Sequence, residues 1–109
     1  MGKRVLIFGV NGFVGTFLVR ELVSAGYKVI GSDLHEKCII SEVSAYYPCD
    51  LSDARGVLSL VSESNADYIV NLAAISSVGQ SWRAPALTMR INVEGALNIM
   101  EAARAQETC

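Results

Sequence analysis

The chain has 109 residues, 51% of them hydrophobic and 18% charged, with a mean hydropathy of +0.36, a composition that excludes disorder. A formal charge of −2, a pI near 5.3 and nine Lys and Arg spread along the chain leave no basic footprint for nucleic acid or an anionic membrane surface. The length suits one domain, and no apolar stretch approaches the ~20 residues that a bilayer requires.

In chain order, the elements alternate between the two structural periods. Met1 to Arg4 puts charge before the apolar run Val5–Phe8, but the run is too short for a signal peptide and passes straight into Gly9-Val10-Asn11-Gly12. A short, wholly apolar run of this kind reads as a strand buried on both faces of a parallel sheet. Phe13 to Ala25 has helical spacing, with Phe13 and Phe17, then Val14, Leu18 and Leu22, as the apolar positions; Gly26 is the expected stop. Val29 to Ser32 predicts a second strand ending at Asp33. Ser44 to Tyr47 predicts a third, stopped by Pro48.

Ala54, Val57, Leu58 and Val61 predict a second helix over about Asp53 to Ser64, capped by Ser52 or Asp53. Tyr68 to Leu72 is the fourth strand. Pro85 opens a last helix that runs to about Ala105 on a stripe of Val93, Ala96, Leu97, Met100 and Ala103. This order specifies an α/β fold, a Rossmann-like doubly wound parallel sheet of order 3-2-1-4 with flanking helices.

Two signals carry chemistry. Gly9-Val10-Asn11-Gly12-Phe13-Val14-Gly15 is a GxxGxxG loop between an apolar strand and an amphipathic helix, the context that turns a glycine pattern into a dinucleotide-binding motif. Gly9 allows the sharp turn off the strand, Gly12 lets backbone approach a pyrophosphate, and Gly15 lets the helix pack closely on the sheet. The helix start then points free N–H groups at the phosphates. Asp33, 18 residues beyond Gly15 at the end of the second strand, is placed to accept hydrogen bonds from the adenosine ribose. Its charge repels a 2′-phosphate, so NAD is expected and NADP less favoured, with Lys37 close enough to temper the preference.

Cys38, Cys49 and Cys109 fit no zinc or CxxC spacing and read as reduced thiols in a cytoplasmic protein. His35 stands alone, and no metal site is expected.

These residues resemble the N-terminal part of an extended short-chain dehydrogenase/reductase, the NAD-dependent epimerase/dehydratase family acting on nucleotide sugars. The likeness rests on GVNGFVG at 9–15, Asp33, Cys49-Asp50-Leu51, Asn71-Leu72-Ala73-Ala74, and Asn92-Val93-Glu94-Gly95 followed by Asn98-Ile99-Met100-Glu101. It implies that Asp50 bonds the adenine amino group with Leu51 beside the ring. Leu72, Ala73 and Ala74 would line the cofactor, and Asn92 would sit near it. Residues 76–82, Ser76 to Trp82, are most similar to the loop of the sugar-nucleotide dehydratases that runs beside the cofactor towards the substrate. Gly9, Asn11, Gly12, Phe13, Val14, Gly15 and Asp33 complete the expected cofactor-binding set.

The resemblance also implies a catalytic Ser or Thr and a Tyr-x-x-x-Lys pair on later elements. Tyr27, Tyr46, Tyr47 and Tyr68 are followed at that distance by Gly31, Asp50, Leu51 and Leu72, so no catalytic residue is assigned. The expectation is therefore one truncated dinucleotide-binding domain over 1–109, lacking a substrate domain and without turnover alone. A nucleotide sugar would bind only with a C-terminal half present. A bare fourth-strand edge, or the helices beside it, would be covered by a second copy in a homodimer. Two other readings stay open: a stand-alone regulatory module that takes the dinucleotide as ligand, and a folded relic that binds nothing.

Overall fold

The computed structural model describes residues 3–34, 36–37, 40–72 and 85–106, with Phe13 and residues 85–92 described by their backbone. Its elements are β1 (Arg4–Phe8), α1 (Phe13–Ser24), β2 (Lys28–Asp33), β3 (Ala45–Pro48), α2 (Ala54–Ser64), β4 (Tyr68–Asn71) and α3 (Pro85–Gln106). The strands form one parallel sheet of order β3-β2-β1-β4, as the alternation of periods requires. Ile7 of β1 stands opposite Gly31 of β2 and Val70 of β4, so β1 is central and buried on both faces.

Each face of the sheet has its own core. Val5, Ile7, Val10 and Val29 pack with Val19 of α1 and Ile40. On the other face, Leu6, Phe8 and Ile30 pack with Val57, Leu60 and Val61 of α2 and Ile99 and Ala102 of α3. The alternation along β1 assigns odd residues to the α1 side and even residues to the α2/α3 side, the period-two rule of a strand.

The helix faces differ from the expected stripes. On α1, Leu18 and Leu22 of the expected stripe are half-buried against the core, but Val14 and Phe17 are exposed and the buried positions are Gly15 and Val19. Gly15 sits so close to the strand end that a Cβ built there would lie 2.1 Å from the Val10 carbonyl oxygen. That contact fixes the face. Positions 15, 19 and 22 share it at 3.6 residues per turn, whereas 14 and 17 are turned away. The same occurs on α3, where Gly95, Ile99 and Ala102 are buried while Val93, Leu97 and Met100 are 52%, 52% and 66% exposed. On α2, Leu60 is buried and Leu58 exposed. Small residues mark the close approaches, and a stripe counted from large side chains alone misses them.

Boundaries moved by a residue or two. β3 includes Pro48, paired with Asp33, because it is an edge strand whose missing N–H breaks no ladder on the outer side. α1 ends in a Schellman arrangement, with the Gly26 N–H donating to Val23 O and the Tyr27 N–H to Leu22 O, both at 3.0 Å. Asp53, one of the two expected caps, accepts the Gly56 N–H at 3.1 Å at the start of α2.

Candidate dinucleotide site

The site is built at the carboxyl ends of β1, β2 and β4, where the order of winding reverses between β1 and β4. The chain leaves β1 through Gly9, whose φ of +80° is the left-handed region that favours glycine. The Ser32 carbonyl accepts both the Gly9 N–H at 2.8 Å and the Val10 N–H at 3.1 Å, which bolts the start of the loop to β2. The loop then enters α1 with Gly12 as N-cap and, among the described residues, no side chain capping the first turn. The N–H groups of that turn and the positive end of the helix therefore face outward as an anion cradle.

The two glycines at the start of α1, Gly12 and Gly15, have opposite surroundings. A Cβ built on Gly12 meets, among the described residues, only the Gly9 carbonyl oxygen, at 3.6 Å. Among the described residues the space beside Gly12 is open, while the space beside Gly15 is filled by the Val10 backbone.

Asp33 lies next to this loop and is half-buried. One carboxylate oxygen accepts the Asn11 N–H at 3.0 Å, the other the Leu34 N–H at 2.8 Å. The carboxylate is thus held by backbone from two segments and presented at the carboxyl end of the sheet. The Cys49 N–H donates to the Asp33 carbonyl at 2.9 Å, bringing the Cys49-Asp50-Leu51 segment alongside. Burial, then the negative charges of Asp53 and Asp50, push the Cys49 thiol up from its ordinary pKa.

Asp50 is exposed, and one of its oxygens accepts the Ser52 N–H at 2.9 Å and the Ser52 hydroxyl at 2.8 Å. These two bonds, the backbone one foremost, hold its pKa below the ordinary aspartate value. Leu51 is half-buried against the α2/α3 core. Leu72 donates its N–H to the Phe8 carbonyl at 2.8 Å and packs on the α1-side core. Of the expected set, the structure brings together Gly9, Asn11, Gly12, Gly15 and Asp33, with Asp50 and Leu51 after β3 and Leu72 after β4 at the same carboxyl end of the sheet. Val14 begins α1 with its side chain exposed. Ala73, Ala74, residues 76–82, His35, Cys38, Cys109 and the side chains of Phe13 and Asn92 lie outside the described residues.

Three features were not anticipated. The Asn98 amide donates to the Leu51 carbonyl at 2.7 Å, and Gly95, one turn earlier, lets Leu51 seat against α3. A Gly-x-x-Asn pair on one helix face is the sequence trace of that anchor. The Asn11 amide reaches both Lys37 and Tyr46. The Ser32 hydroxyl is fully buried and has no hydrogen-bond partner among the described residues.

The family model described as GDP-mannose 4,6 dehydratase matches residues 6–109. The chain belongs to this family. Among curated relatives, GDP-mannose 4,6-dehydratase of Yersinia enterocolitica is 31% identical, covering 94% of this chain and 31% of its own length. UDP-glucose 4-epimerase of Drosophila melanogaster is 30% identical over 90% of this chain and 33% of the relative. Among solved structures, the UDP-glucose 4-epimerase of Thermus thermophilus in complex with NAD superposes with a TM-score of 0.85. It shares 30% identity over 96% of this chain and 35% of that one. The corresponding Brucella ovis enzyme, also in complex with NAD, gives 0.85 at 26% identity, over 98% of this chain and 34% of that one. The chain spans about a third of the length of the family members it matches. The relatives it matches are named as UDP-glucose 4-epimerases and GDP-mannose 4,6-dehydratases. Among the described residues, no helix is long and apolar enough to cross a membrane.

Proposed function

We propose that this chain is the NAD-binding unit of a nucleotide-sugar epimerase or dehydratase. The observation that carries the reading is the uncapped start of α1 beside an open Gly12, with the Asp33 carboxylate fixed next to it. Gly9, Gly12, Gly15 and the first turn of α1 would hold the pyrophosphate, and Asp33 the adenosine ribose. Asp50 and Leu51 would flank the adenine, with Leu72, Ala73 and Ala74 along the strand end. Family members crystallised with NAD support the choice of dinucleotide. Bound NAD supplies a hydride acceptor for a sugar carbon. The residues of this chain bind and orient it, and Asp33 disfavours the 2′-phosphate of NADP by charge.

These 109 residues contain no Tyr with Lys four positions on, so the unit binds without turning over alone. A nucleotide sugar would be taken together with the catalytic and substrate elements that such enzymes carry. We place the chain in the cytoplasm, as one dinucleotide-binding domain that takes no nucleic acid. It would self-associate as a homodimer through the outer edge of β4 or the neighbouring helices. The exposed Leu58, Val93, Leu97 and Met100 support that surface, and light scattering showing a monomer at micromolar concentration would remove it.

Thermal unfolding with and without NAD, NADP and ADP tests the function. A ligand selective for the native state adds about 2.7 kcal/mol at a hundredfold excess over its dissociation constant. The expected result is a raised midpoint with NAD that Asp33→Ala abolishes. An unchanged midpoint with all three ligands overturns the reading.

A further inference from the structure

We infer that the Asn11 side chain is a positioning residue that pins the segment after β2 to the glycine loop and thereby sets the selection of a free ribose 2′-hydroxyl over a 2′-phosphate. The inference rests on the dinucleotide reading above. The Asn11 amide group carries two protons, and each has an acceptor: the Lys37 carbonyl at 3.1 Å and the Tyr46 phenol oxygen at 3.3 Å. Its backbone N–H is the donor to Asp33 at 3.0 Å. Three segments that surround the ribose carboxylate are therefore joined at one residue of the phosphate loop. An asparagine suits this place because its amide supplies two donors in one plane; a serine would supply one and an ionised aspartate none.

The anchor at the far end is firm. Tyr46 is half-buried on β3 and packs against the α1-side core, so its phenol is a fixed point. Lys37 is exposed, four residues past Asp33. Its ammonium is the charge that would attract a 2′-phosphate, as the Asp33 carboxylate repels it. Holding the Lys37 main chain limits the range over which that flexible cation can reach the ribose site, and so favours control of the choice by the carboxylate. Side chain and backbone separate cleanly here. Asn11→Ala keeps the backbone N–H to Asp33 and removes the side-chain bonds to Lys37 and Tyr46.

The test measures NAD and NADP binding by ligand-induced thermal shift on the full chain, for wild type, Asn11→Ala and Tyr46→Phe, with ligand-free melting recorded alongside. A general loss of folded protein weakens both dinucleotides by the same factor and leaves their ratio untouched. Loss of the pin changes the ratio. The affinity ratio of NAD to NADP is expected to fall about tenfold in Asn11→Ala, the equivalent of one to two neutral hydrogen bonds. In Tyr46→Phe, which keeps the bond to Lys37, it falls less, in the same direction. Wild-type protein that prefers NAD, with both variants retaining its ratio, overturns the pin while the cofactor reading stands. Wild-type protein that binds neither dinucleotide overturns both.

Discussion

Two glycines three residues apart are expected to respond to alanine in opposite ways. At Gly15 the new methyl would sit 2.1 Å from the Val10 carbonyl oxygen and 2.7 Å from its carbon, both backbone atoms that cannot rotate aside. Relief requires the start of α1 to lift off β1 by about 1 Å, which places the cost at the upper end of overpacking, about 3 kcal/mol. Alanine returns about 1 kcal/mol of helix propensity in this position, leaving a net loss of about 2 kcal/mol. For a domain of this size each kcal/mol moves the midpoint by about 4–8 °C, so Gly15→Ala melts about 8–16 °C lower. At Gly12 the nearest atom is at 3.6 Å and φ is −74°, ordinary for any residue. The N-cap exchange there costs below about 1 kcal/mol. Gly12→Ala is therefore expected to keep most of its midpoint while losing any rise produced by NAD, because in the proposed binding mode the methyl would stand where the pyrophosphate approaches. Circular dichroism melts of both variants, with and without millimolar NAD, read all four values. Equal melting of the two, or a full NAD response in Gly12→Ala, would refute this account of the loop.

Other perturbations follow from single contacts. Asn98→Ala removes the donor to the part-buried Leu51 carbonyl and is expected to cost about 1–3 kcal/mol in urea unfolding, with a neutral result disproving the anchor. Because the Asp50 pKa is depressed in the folded state, its contribution is present above the ordinary aspartate pKa and is lost as pH falls through the lower folded value. The group is largely exposed, so a small acid-side loss is expected, and in Asp50→Asn it should vanish from a pH series of melts. The raised Cys49 thiol stays protonated at neutral pH, so iodoacetamide should modify it more slowly in native than in urea-unfolded protein, as followed by peptide mass spectrometry.

The fold was legible because β1 is a pure apolar run and the two periods alternate without interruption. The glycine loop and Asp33 were legible because their spacing is local or bridged by one helix. The helix faces are less so, because the large side chains Phe17, Leu58, Leu97 and Met100 dominate the apolar periodicity, whereas Gly15, Gly95 and Ala102 decide which side approaches the sheet. The bonds from Asn11 to Tyr46 and from Asn98 to Leu51 span 35 and 47 residues. They join elements whose adjacency follows only from the finished sheet, so nothing in the neighbouring sequence announces them.

The uncapped start of α1 sets stability against function at one position. α2 satisfies its first turn with Asp53, a device that contributes about 1 kcal/mol; α1 forgoes it. A serine or aspartate in place of Gly12 would supply the missing acceptor and steady the ligand-free protein, yet it would occupy the donors that an anionic ligand needs. Selection for a sturdier domain and selection for a tighter-binding one therefore pull in opposite directions at Gly12. A stability screen run without dinucleotide would favour the substitutions that silence the site.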